Sequence, residues 1–285
     1  MSTVDIAFIG GSGLYKVPGI KNIKWKKVKT NFGFPSSEIC TGTINDKSIA
    51  FLPRHGKDHT ISPSNINYRA NIEALKILGS KNIVSLSAVG SLRKDFAPGD
   101  FVLVSQFIDK TYNRIKTFFD NDLVVHIPMA EPICCLLKSK ISKSLEKLDI
   151  NFHKEGVYIC IEGPQFSTKA ESELYRSWGC DVIGMTNMPE AKLALEAGIC
   201  YSSVAMVTDY DCWHPEHEDV TVEQIVETLK NNSEKAQRLI IELSKEKVIE
   251  CEEKIQTLSS NSIITNVSKI KKETRKKLKN ILDLK

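Results

Sequence analysis

Residues 204–213, VAMVTDYDCW, are mostly apolar but carry two aspartates, Asp209 and Asp211, near the end. The apolar run at 204–207 is typical of a strand buried in a parallel sheet. If the backbone stays extended through Asp211, the two carboxylates point to the same side. Carboxylates that close repel unless a proton, a donor or a cation lies between them. The pair therefore predicts either a solvated strand end or a ligand site at the carboxyl end of a strand.

Three short segments that follow strand-like runs carry groups suited to a phosphate. GGSGLY offers backbone amides and the hydroxyl of Ser12. LPRHG offers the planar fork of Arg54 and the ring of His55. SAVGSLR, which begins at Ser87, offers hydroxyl and backbone donors. Each segment alone is also explained by tight turns or ion pairs, but the three together indicate a phosphate site.

Two common nucleotide-binding motifs are missing. The dinucleotide pattern GxGxxG would need a glycine where Lys16 stands, and no clear acidic residue follows a second strand about 20 residues further on. The sequence also contains no GKS or GKT, which the phosphate loop of nucleoside triphosphatases requires. These turns therefore favour free phosphate over a dinucleotide or a triphosphate.

The pattern of cysteines and histidines does not indicate a metal site. The eight cysteines are scattered and form no CxxC pair, so neither a disulfide framework nor a zinc ribbon is expected. His55 and His59 have a zinc-like spacing, but Gly56 argues against the helix that would align them. Pro215 likewise argues against a helix in the segment after Cys212 that would align metal ligands. We expect most cysteines to be small buried side chains.

The overall composition is that of a soluble globular protein. The chain has 285 residues, of which 41% are hydrophobic and 26% charged, enough for a full α/β core. No apolar run approaches the roughly 18 to 20 residues of a membrane span, and the N-terminal segment lacks the pattern of a signal peptide. We expect a cytoplasmic protein without a membrane partner.

The positive charge of the chain is concentrated at its C-terminal end. Residues 266–285 carry eight Lys or Arg and two acids, a net +6, whereas the whole chain carries +4, so the preceding 265 residues carry −2. Val267, Ile270, Leu278 and Ile281 have helical spacing, which predicts an amphipathic helix packed on the body. Nucleic-acid binding through its basic face is the alternative, but no aromatic residues or binding motif accompany it.

Strand-like and helix-like segments alternate along most of the chain. Strands are predicted at 4–9, 49–53, 83–88, 101–107, 157–161, 182–185 and 200–207. Helices are predicted at 67–78, 136–148, 167–178, 189–197 and 222–243. This alternation predicts one α/β domain with a largely parallel sheet flanked by helices. We assign residues 1–250 to this domain and 251–285 to a basic, amphipathic helical extension.

A series of segments between residue 5 and about residue 245 carries a resemblance to a known family. The segments are GGSGL, FLPRHGKDHTISPSNINYRANI, AVGSLR, PGDFVLVSQFIDKT, HIPMAEP, IEGPQFSTKAES, MTNMPEAKLALEAGICY and VTDYDCW. In this order they resemble the 5′-methylthioadenosine phosphorylases, in the trimeric branch of the purine nucleoside phosphorylase family. Only the basic C-terminal segment lies outside the matching region.

The resemblance implies a nucleoside phosphorylase-like fold, with a single α/β domain around a central mixed sheet, and a homotrimer. It implies reversible phosphorolysis of 5′-methylthioadenosine to adenine and 5-methylthioribose 1-phosphate. Inorganic phosphate would be a co-substrate, and neither a metal nor an organic cofactor would be needed. A nucleic acid is not expected as a partner.

The resemblance also assigns roles to individual residues. The phosphate would be bound by Ser12, Arg54, His55, Ser87, Ala88 and Thr186. The nucleoside would be bound by Phe166, Ser167, Met185, Asp209, Asp211 and Val222, with His126 donated by a neighbouring subunit to the 5′ pocket. Two positions depart from the family pattern, because Gln165 stands where Arg is frequent and Gly184 where Asn is frequent.

In this interpretation the two aspartates bind adenine. A protonated Asp209 would donate to N7 as the glycosidic bond breaks, and Asp211 would accept from the 6-amino group. Aspartate rather than asparagine at position 209 favours 6-aminopurines. A 6-oxopurine nucleoside or methylthioinosine phosphorylase is the alternative of the same fold. A non-catalytic scaffold or nucleic-acid-binding protein is the alternative of another class, and the intact set of polar turns argues against it.

Overall fold

The computed structural model describes residues 3–11, 14, 17–120, 122–214, 222–246, 250–251 and 253–284. For residues 222–226 it describes the helical backbone but not the side chains. Among the predicted site residues, Ser12 lies outside these ranges, and the predicted contact of the Val222 side chain lies outside them as well.

Strands and helices alternate along the described chain. The strands are β1 (Ile6–Gly10), β2 (Lys21–Lys26), β3 (Ile39–Ile44), β4 (Lys47–Pro53), β5 (Asn82–Ser91), β6 (Phe101–Leu103), β7 (Gln106–Asp109), β8 (Phe152–His153), β9 (Val157–Cys160), β10 (Val182–Gly184) and β11 (Cys200–Asp209). The α-helices are α1 (Tyr68–Ile77), α2 (Cys135–Lys147), α3 (Lys169–Ser177), α4 (Asn187–Glu196), α5 (Val222–Lys245), α6 (Glu253–Gln256) and α7 (Lys272–Leu278). In these described ranges no helix combines the length and the apolar character that a membrane crossing needs.

The strands form one mixed sheet. Along its main path the order is β2-β3-β4-β1-β5-β10-β9-β7, while β11 pairs with β5 and β6, and β6 also pairs with β8. The central pairs β1–β4, β1–β5 and β5–β11 are parallel. The pairs β2–β3 and β3–β4 at one end are antiparallel. The predicted single α/β domain with a mixed, largely parallel sheet is confirmed.

Both faces of the sheet are covered, because alternate residues of a central strand enter different apolar clusters. In β1, Ala7 and Ile9 belong to the cluster that includes α1 and α4. Ile6 and Phe8 belong to the cluster that includes α2 and α5. A strand buried on both sides needs apolar residues at every position, which explains why IAFIG is a continuous apolar run.

Three strands were not predicted, and one predicted strand is divided. The missed strands are β2, β3 and β8. Strand β2, KNIKWK, is mostly exposed at the edge of the sheet, where lysines discourage pairing with other chains and hide the strand pattern. The predicted strand at 101–107 is two strands, β6 and β7, because the backbone changes partners at Val104 and Ser105.

The predicted C-terminal helix is much shorter in the structure. The described residues 266–284 form a single 3₁₀ turn (Val267–Lys269) and the seven-residue α7. Ile270, Leu278 and Ile281 are nevertheless buried against the cluster that includes α1. Thr274 interrupts the apolar face of the predicted helix. Ile270, after the 3₁₀ turn, and Leu278 and Ile281, at the end of α7, therefore pack on the core as two separate groups. The guanidinium of Arg275 donates to the Val267 and Leu284 carbonyls at 2.5 and 2.6 Å.

Candidate active site

The carboxyl ends of β1 and β4 meet beside the middle of β5, which continues to Ser91. Gly10 pairs with Pro53 across β1 and β4, and Ile9 pairs with Ser85 of β5. The Arg54 amide donates to the Gly10 carbonyl at 2.9 Å. The structure therefore places the strand ends at Gly10 and Pro53, which precede two of the predicted phosphate-binding segments, next to the stretch of β5 that contains the third.

Arg54 is almost completely buried, and its fork is directed at Glu190 of α4. The Nε atom donates to Glu190 Oε2 at 2.8 Å, and Nη2 donates to Oε1 at 3.1 Å. Burial opposes the charged form, but the carboxylate of Glu190 outweighs it and holds the pKa of Arg54 above its ordinary value. The sequence predicted that this fork would be open to a phosphate; instead an internal carboxylate occupies it.

Glu190 is itself held by a network of buried hydroxyls. Its Oε1 accepts from Ser85 Oγ at 2.7 Å and from the Tyr201 hydroxyl at 2.9 Å. Asn187 Nδ2 donates to Ser85 Oγ at 3.1 Å, and Asn187 Oδ1 accepts from Ser203 at 2.6 Å. Such a fully bonded network orients the guanidinium rigidly. Sequence reasoning missed Glu190, although an acid next to the apolar run of α4 is a signal for a buried partner.

His55 lies beside Arg54 and is 8% exposed. Its Nδ1 lies 2.8 Å from the Ile61 carbonyl oxygen, and its ring stacks on His59 with centroids 4.2 Å apart. Burial, together with the charge of Arg54, lowers the pKa of His55 to about 4. The imidazole is therefore neutral at neutral pH.

The hydroxyls of Ser87 and Thr186 come together although the residues are far apart in the chain. Their Oγ and Oγ1 atoms are 3.2 Å apart, and the Tyr158 hydroxyl lies 3.3 Å from Ser87 Oγ. Ala88 is exposed, whereas its neighbours Ser87 and Val89 in the same strand are buried. An exposed alanine in the central strand indicates an opening above it, next to the two hydroxyls.

Asp209 and Asp211 adjoin each other, but not for the predicted reason. Strand β11 ends at Asp209 after an irregularity in its pairing, and Asp211 has a left-handed φ of 51°. The backbone is therefore not extended through Asp211, and the condition for strand alternation between the two acids is not met. The Asp211 amide donates to Asp209 Oδ1 at 2.8 Å, and Thr208 Oγ1 donates to Oδ2 at 2.7 Å. A turn, rather than strand alternation, brings the two acids together.

The two acids face Gly90 of β5, which pairs with Asp209. A Cβ at Gly90 would lie 3.0 Å from Asp209 Oδ1 and 3.3 Å from Asp211 Cβ, so only glycine leaves both side chains in place. Burial, and secondarily the charge of Asp209, raises the pKa of Asp211. A raised pKa at the carboxyl end of a strand is typical of a functional site.

The other residues predicted to bind the nucleoside differ in how deeply they are buried. Met185 packs against Gly163, whose φ of +66° and missing side chain make room for the thioether. The Oγ atom of Ser167 is buried and has no hydrogen-bond partner in the described part of the chain. Phe166 is 82% exposed. The structure thus places Met185 in a half-buried position and Phe166 on the surface.

Arg114 connects two loops near the site and was not predicted. Its Nη1 donates to the Met185 and Met188 carbonyls at 2.7 and 2.6 Å, on either side of Thr186. Its Nη2 and Nε donate to the Glu162 carbonyl and carboxylate at 2.7 and 3.0 Å. Burial raises the pKa of Glu162, but hydrogen bonds from its neighbours outweigh burial and lower that pKa to about 2. This buried arginine therefore orders the segments that carry Met185 and Thr186.

His126 lies in a different part of the chain from the other predicted site residues. It lines a cavity of about 360 Å³ together with Lys116, Phe119, Lys192 and Glu196. None of the other predicted site residues lines this cavity. Within one chain His126 is therefore not placed with the phosphate residues or the two aspartates.

Comparison with known proteins places the sequence in a family. A model of the phosphorylase superfamily matches residues 5–245. The S-methyl-5′-thioadenosine phosphorylase of Cereibacter sphaeroides is 53% identical over 235 residues, which are 82% of this chain and 81% of the relative. The enzyme of the same name from Koribacter versatilis is 46% identical over 282 residues, which are 98% of this chain and 95% of the relative.

Solved structures agree with this match. A methylthioadenosine phosphorylase from an Antarctic soil metagenomic library has a TM-score of 0.92 and 42% identity, covering 99% of this chain and 100% of that one. The methylthioadenosine phosphorylase of Schistosoma mansoni, in complex with adenine, has a TM-score of 0.83 and 36% identity, covering 91% of this chain and 99% of that one.

Proposed function

Because this chain belongs to the phosphorylase superfamily, we propose that it catalyses the reversible phosphorolysis of 5′-methylthioadenosine. The products are adenine and 5-methylthioribose 1-phosphate, so the enzyme is a pentosyltransferase. Relatives that are 46% to 53% identical carry the name of this activity, and a similar structure holds adenine.

The arrangement along β5 is the observation that carries the proposal. Ser87, whose hydroxyl meets Thr186, and Gly90, which pairs with Asp209, are three residues apart on this strand. A strand rises about 3.3 Å per residue, so the two groups are separated by about 10 Å. The proposal assigns the phosphate to the Ser87 end of this stretch and the purine to the Asp209 end, with the ribose between them.

The chemistry assigned to the base end is proton donation. A protonated Asp209 donates to N7 as the purine leaves with the bonding electrons, so the hydrogen bond strengthens in the transition state. The bonds that Thr208 and the Asp211 amide donate to its two oxygens fix the position of this carboxyl group. The ribosyl group becomes cationic, and the phosphate stabilises this charge before it attacks C1′. No covalent enzyme intermediate is needed.

Three further expectations belong to this proposal. We infer a homotrimer in which His126 reaches a neighbour's 5′ pocket, because within its own chain it lies apart from the other site residues. Independence from metals and organic cofactors and a cytoplasmic location stay predictions. Specificity for 6-oxopurines is the alternative; the acids at 209 and 211, in place of an amide, favour adenine.

The test of this function is adenine release from 5′-methylthioadenosine with and without phosphate. We expect release only when phosphate is present, with 5-methylthioribose 1-phosphate formed in equal amount. Equal rates in phosphate-free buffer would identify a hydrolase instead.

A further inference from the structure

The segment that carries His126 pairs with the C-terminal extension. Val125 and Ile263 form an isolated antiparallel β-bridge, which lies outside the strands of the central sheet. Both side chains pack against the apolar cluster that includes α1 and α4. A short segment outside the sheet opens readily unless other contacts hold it. Residues 262–265, the C-terminal clamp, supply such contacts for residues 124–126.

Three hydrogen bonds join the clamp to this segment. The His126 amide donates to the Ser262 carbonyl at 3.0 Å, and the Ile264 amide donates to the Val124 carbonyl at 2.9 Å. These two main-chain bonds flank the bridged pair, as in an antiparallel ladder. The Val124 amide donates to Thr265 Oγ1 at 2.8 Å. The backbone is therefore held on both sides of the bridge.

The pairing also sets the direction in which His126 leaves the chain. Val125 is half-buried, whereas Val124 and His126 are exposed. Successive residues of an extended segment point to opposite sides, so a slip of one residue would turn His126 toward the core. The clamp thus fixes the register that presents the imidazole outward.

The clamp is anchored to the body of the protein on both sides. Before it, Ser259 Oγ donates to the main-chain carbonyl of Glu196 at 2.7 Å, and Glu196 lines the same cavity as His126. After it, Ile270 is buried in the cluster that includes α1 and α4. Because both ends are fixed, the clamp holds residues 124–126 in place relative to the core.

We propose that the C-terminal clamp is the positioning element for His126, so that the extension serves nucleoside binding. This inference rests on the proposed role of His126 in the 5′ pocket of a neighbouring subunit and deepens it. His126 lies apart from the residues assigned to phosphate. Loosening the clamp should therefore weaken nucleoside binding and leave phosphate binding unchanged.

Thr265→Val tests the clamp, because valine has the shape of threonine but cannot accept the bond from the Val124 amide. The KM for 5′-methylthioadenosine should rise about threefold to tenfold, with kcat and the KM for phosphate unchanged. Thr265→Ser keeps the hydroxyl and should restore the wild-type KM. Thr257→Val is the matched control, because the Thr257 hydroxyl donates to the nearby Glu253 carbonyl at 2.9 Å. This control should leave both KM values unchanged.

Hydrogen exchange of the intact protein gives a second readout, which does not depend on catalysis. Mass spectrometry of peptides that span residues 122–128 reports how often the amides of Val124 and His126 open to solvent. These amides should exchange faster in Thr265→Val than in wild type. Exchange in Thr265→Ser and in Thr257→Val should match wild type.

Three results would overturn the inference: unchanged exchange in Thr265→Val, faster exchange without a rise in the nucleoside KM, or an equal rise in the KM for phosphate. The clamp and the proposed reaction can fail separately. If adenine release proved hydrolytic while exchange and the nucleoside KM changed as expected, the proposed reaction would fail and the role of the clamp would stand. If release required phosphate but Thr265→Val had a wild-type KM, the inference alone would fail.

Discussion

Glu190 and Arg54 form an ion pair in which both side chains are excluded from solvent, with side-chain exposures of 0% and 2%. The distance from Arg54 Nε to Glu190 Oε2 is 2.8 Å. The arginine predicted to bind phosphate is thus oriented by an acid that lies within the segment MTNMPEAKLALEAGICY but to which the sequence analysis assigned no role. The pair has no net charge, so hydrogen-bond geometry matters more for this site than attraction by free positive charge.

Replacing Glu190 with alanine should lower the free energy of unfolding by about 3–5 kcal/mol, because Arg54 would be left as an unpaired buried charge. Urea denaturation measures the change. The exposed pair between Arg93 and Asp95 is the control, with side-chain exposures of 47% and 61%. Asp95→Ala should lower the free energy by about 1 kcal/mol or less. If the free energy of unfolding fell by an equally small amount in both variants, the buried pair would stabilise the fold no more than the exposed pair.

Arg114→Lys should raise KM for the nucleoside by about tenfold or more, because an ammonium group cannot hold Glu162 and the Met185 and Met188 carbonyls together. Steady-state kinetics with each substrate varied in turn measures this. Arg275→Lys is a matched control, since Arg275 also donates to backbone carbonyls, but in the C-terminal segment. Equal effects on KM in both variants would show that the loss is not specific to the site.

The central strands were predictable because both faces are buried, so the apolar run itself marks each strand. The closeness of the segments that begin at Gly10, Leu52 and Ser87 was predictable because each lies at or in a central strand and is marked by glycines, an Arg-His pair or hydroxyls; phosphate binding by these segments stays a prediction. The pairing of Glu190 with Arg54 was not predictable, since it joins residues 136 positions apart in the chain. The orientation of Asp211 was also missed, because it depends on a left-handed backbone angle that no local pattern indicates.

Glu196 should make stability depend on pH. Burial raises its pKa from 4.5 to about 7, although Phe118 and Thr117 donate hydrogen bonds to the carboxylate. The fold therefore favours the protonated carboxyl; its contribution to stability is complete below pH 4.5 and is lost as the pH rises through about 7. This loss amounts to about 3 kcal/mol.

Glu196→Gln cannot lose a proton, so it lacks this dependence. The unfolding free energy of this variant minus that of wild type should increase by about 3 kcal/mol between acidic and alkaline pH. Urea denaturation across this range, with both proteins in the same buffers, measures the difference. A difference that stays constant with pH would show that Glu196 does not titrate as described.

Asp209→Ala should lower kcat by about 10² to 10⁴ with a smaller change in KM, because the bond to N7 strengthens as the base becomes anionic. Asp209→Asn should reduce activity on 5′-methylthioadenosine and improve the relative rate on methylthioinosine. Changing Asp211 should weaken the preference for adenine more than it slows turnover. If Asp209→Ala altered only KM, the residue would be a binding contact and not a proton donor.

The most direct test of the central claim follows the oxygen atoms of phosphate. The enzyme is incubated with 5′-methylthioadenosine and phosphate labelled with heavy oxygen, and the sugar product is analysed by mass spectrometry. Attack of phosphate on C1′ predicts 5-methylthioribose 1-phosphate that retains every labelled oxygen, including the one that bridges carbon and phosphorus. Unlabelled free methylthioribose would show that water is the nucleophile and would contradict the proposed phosphorolysis.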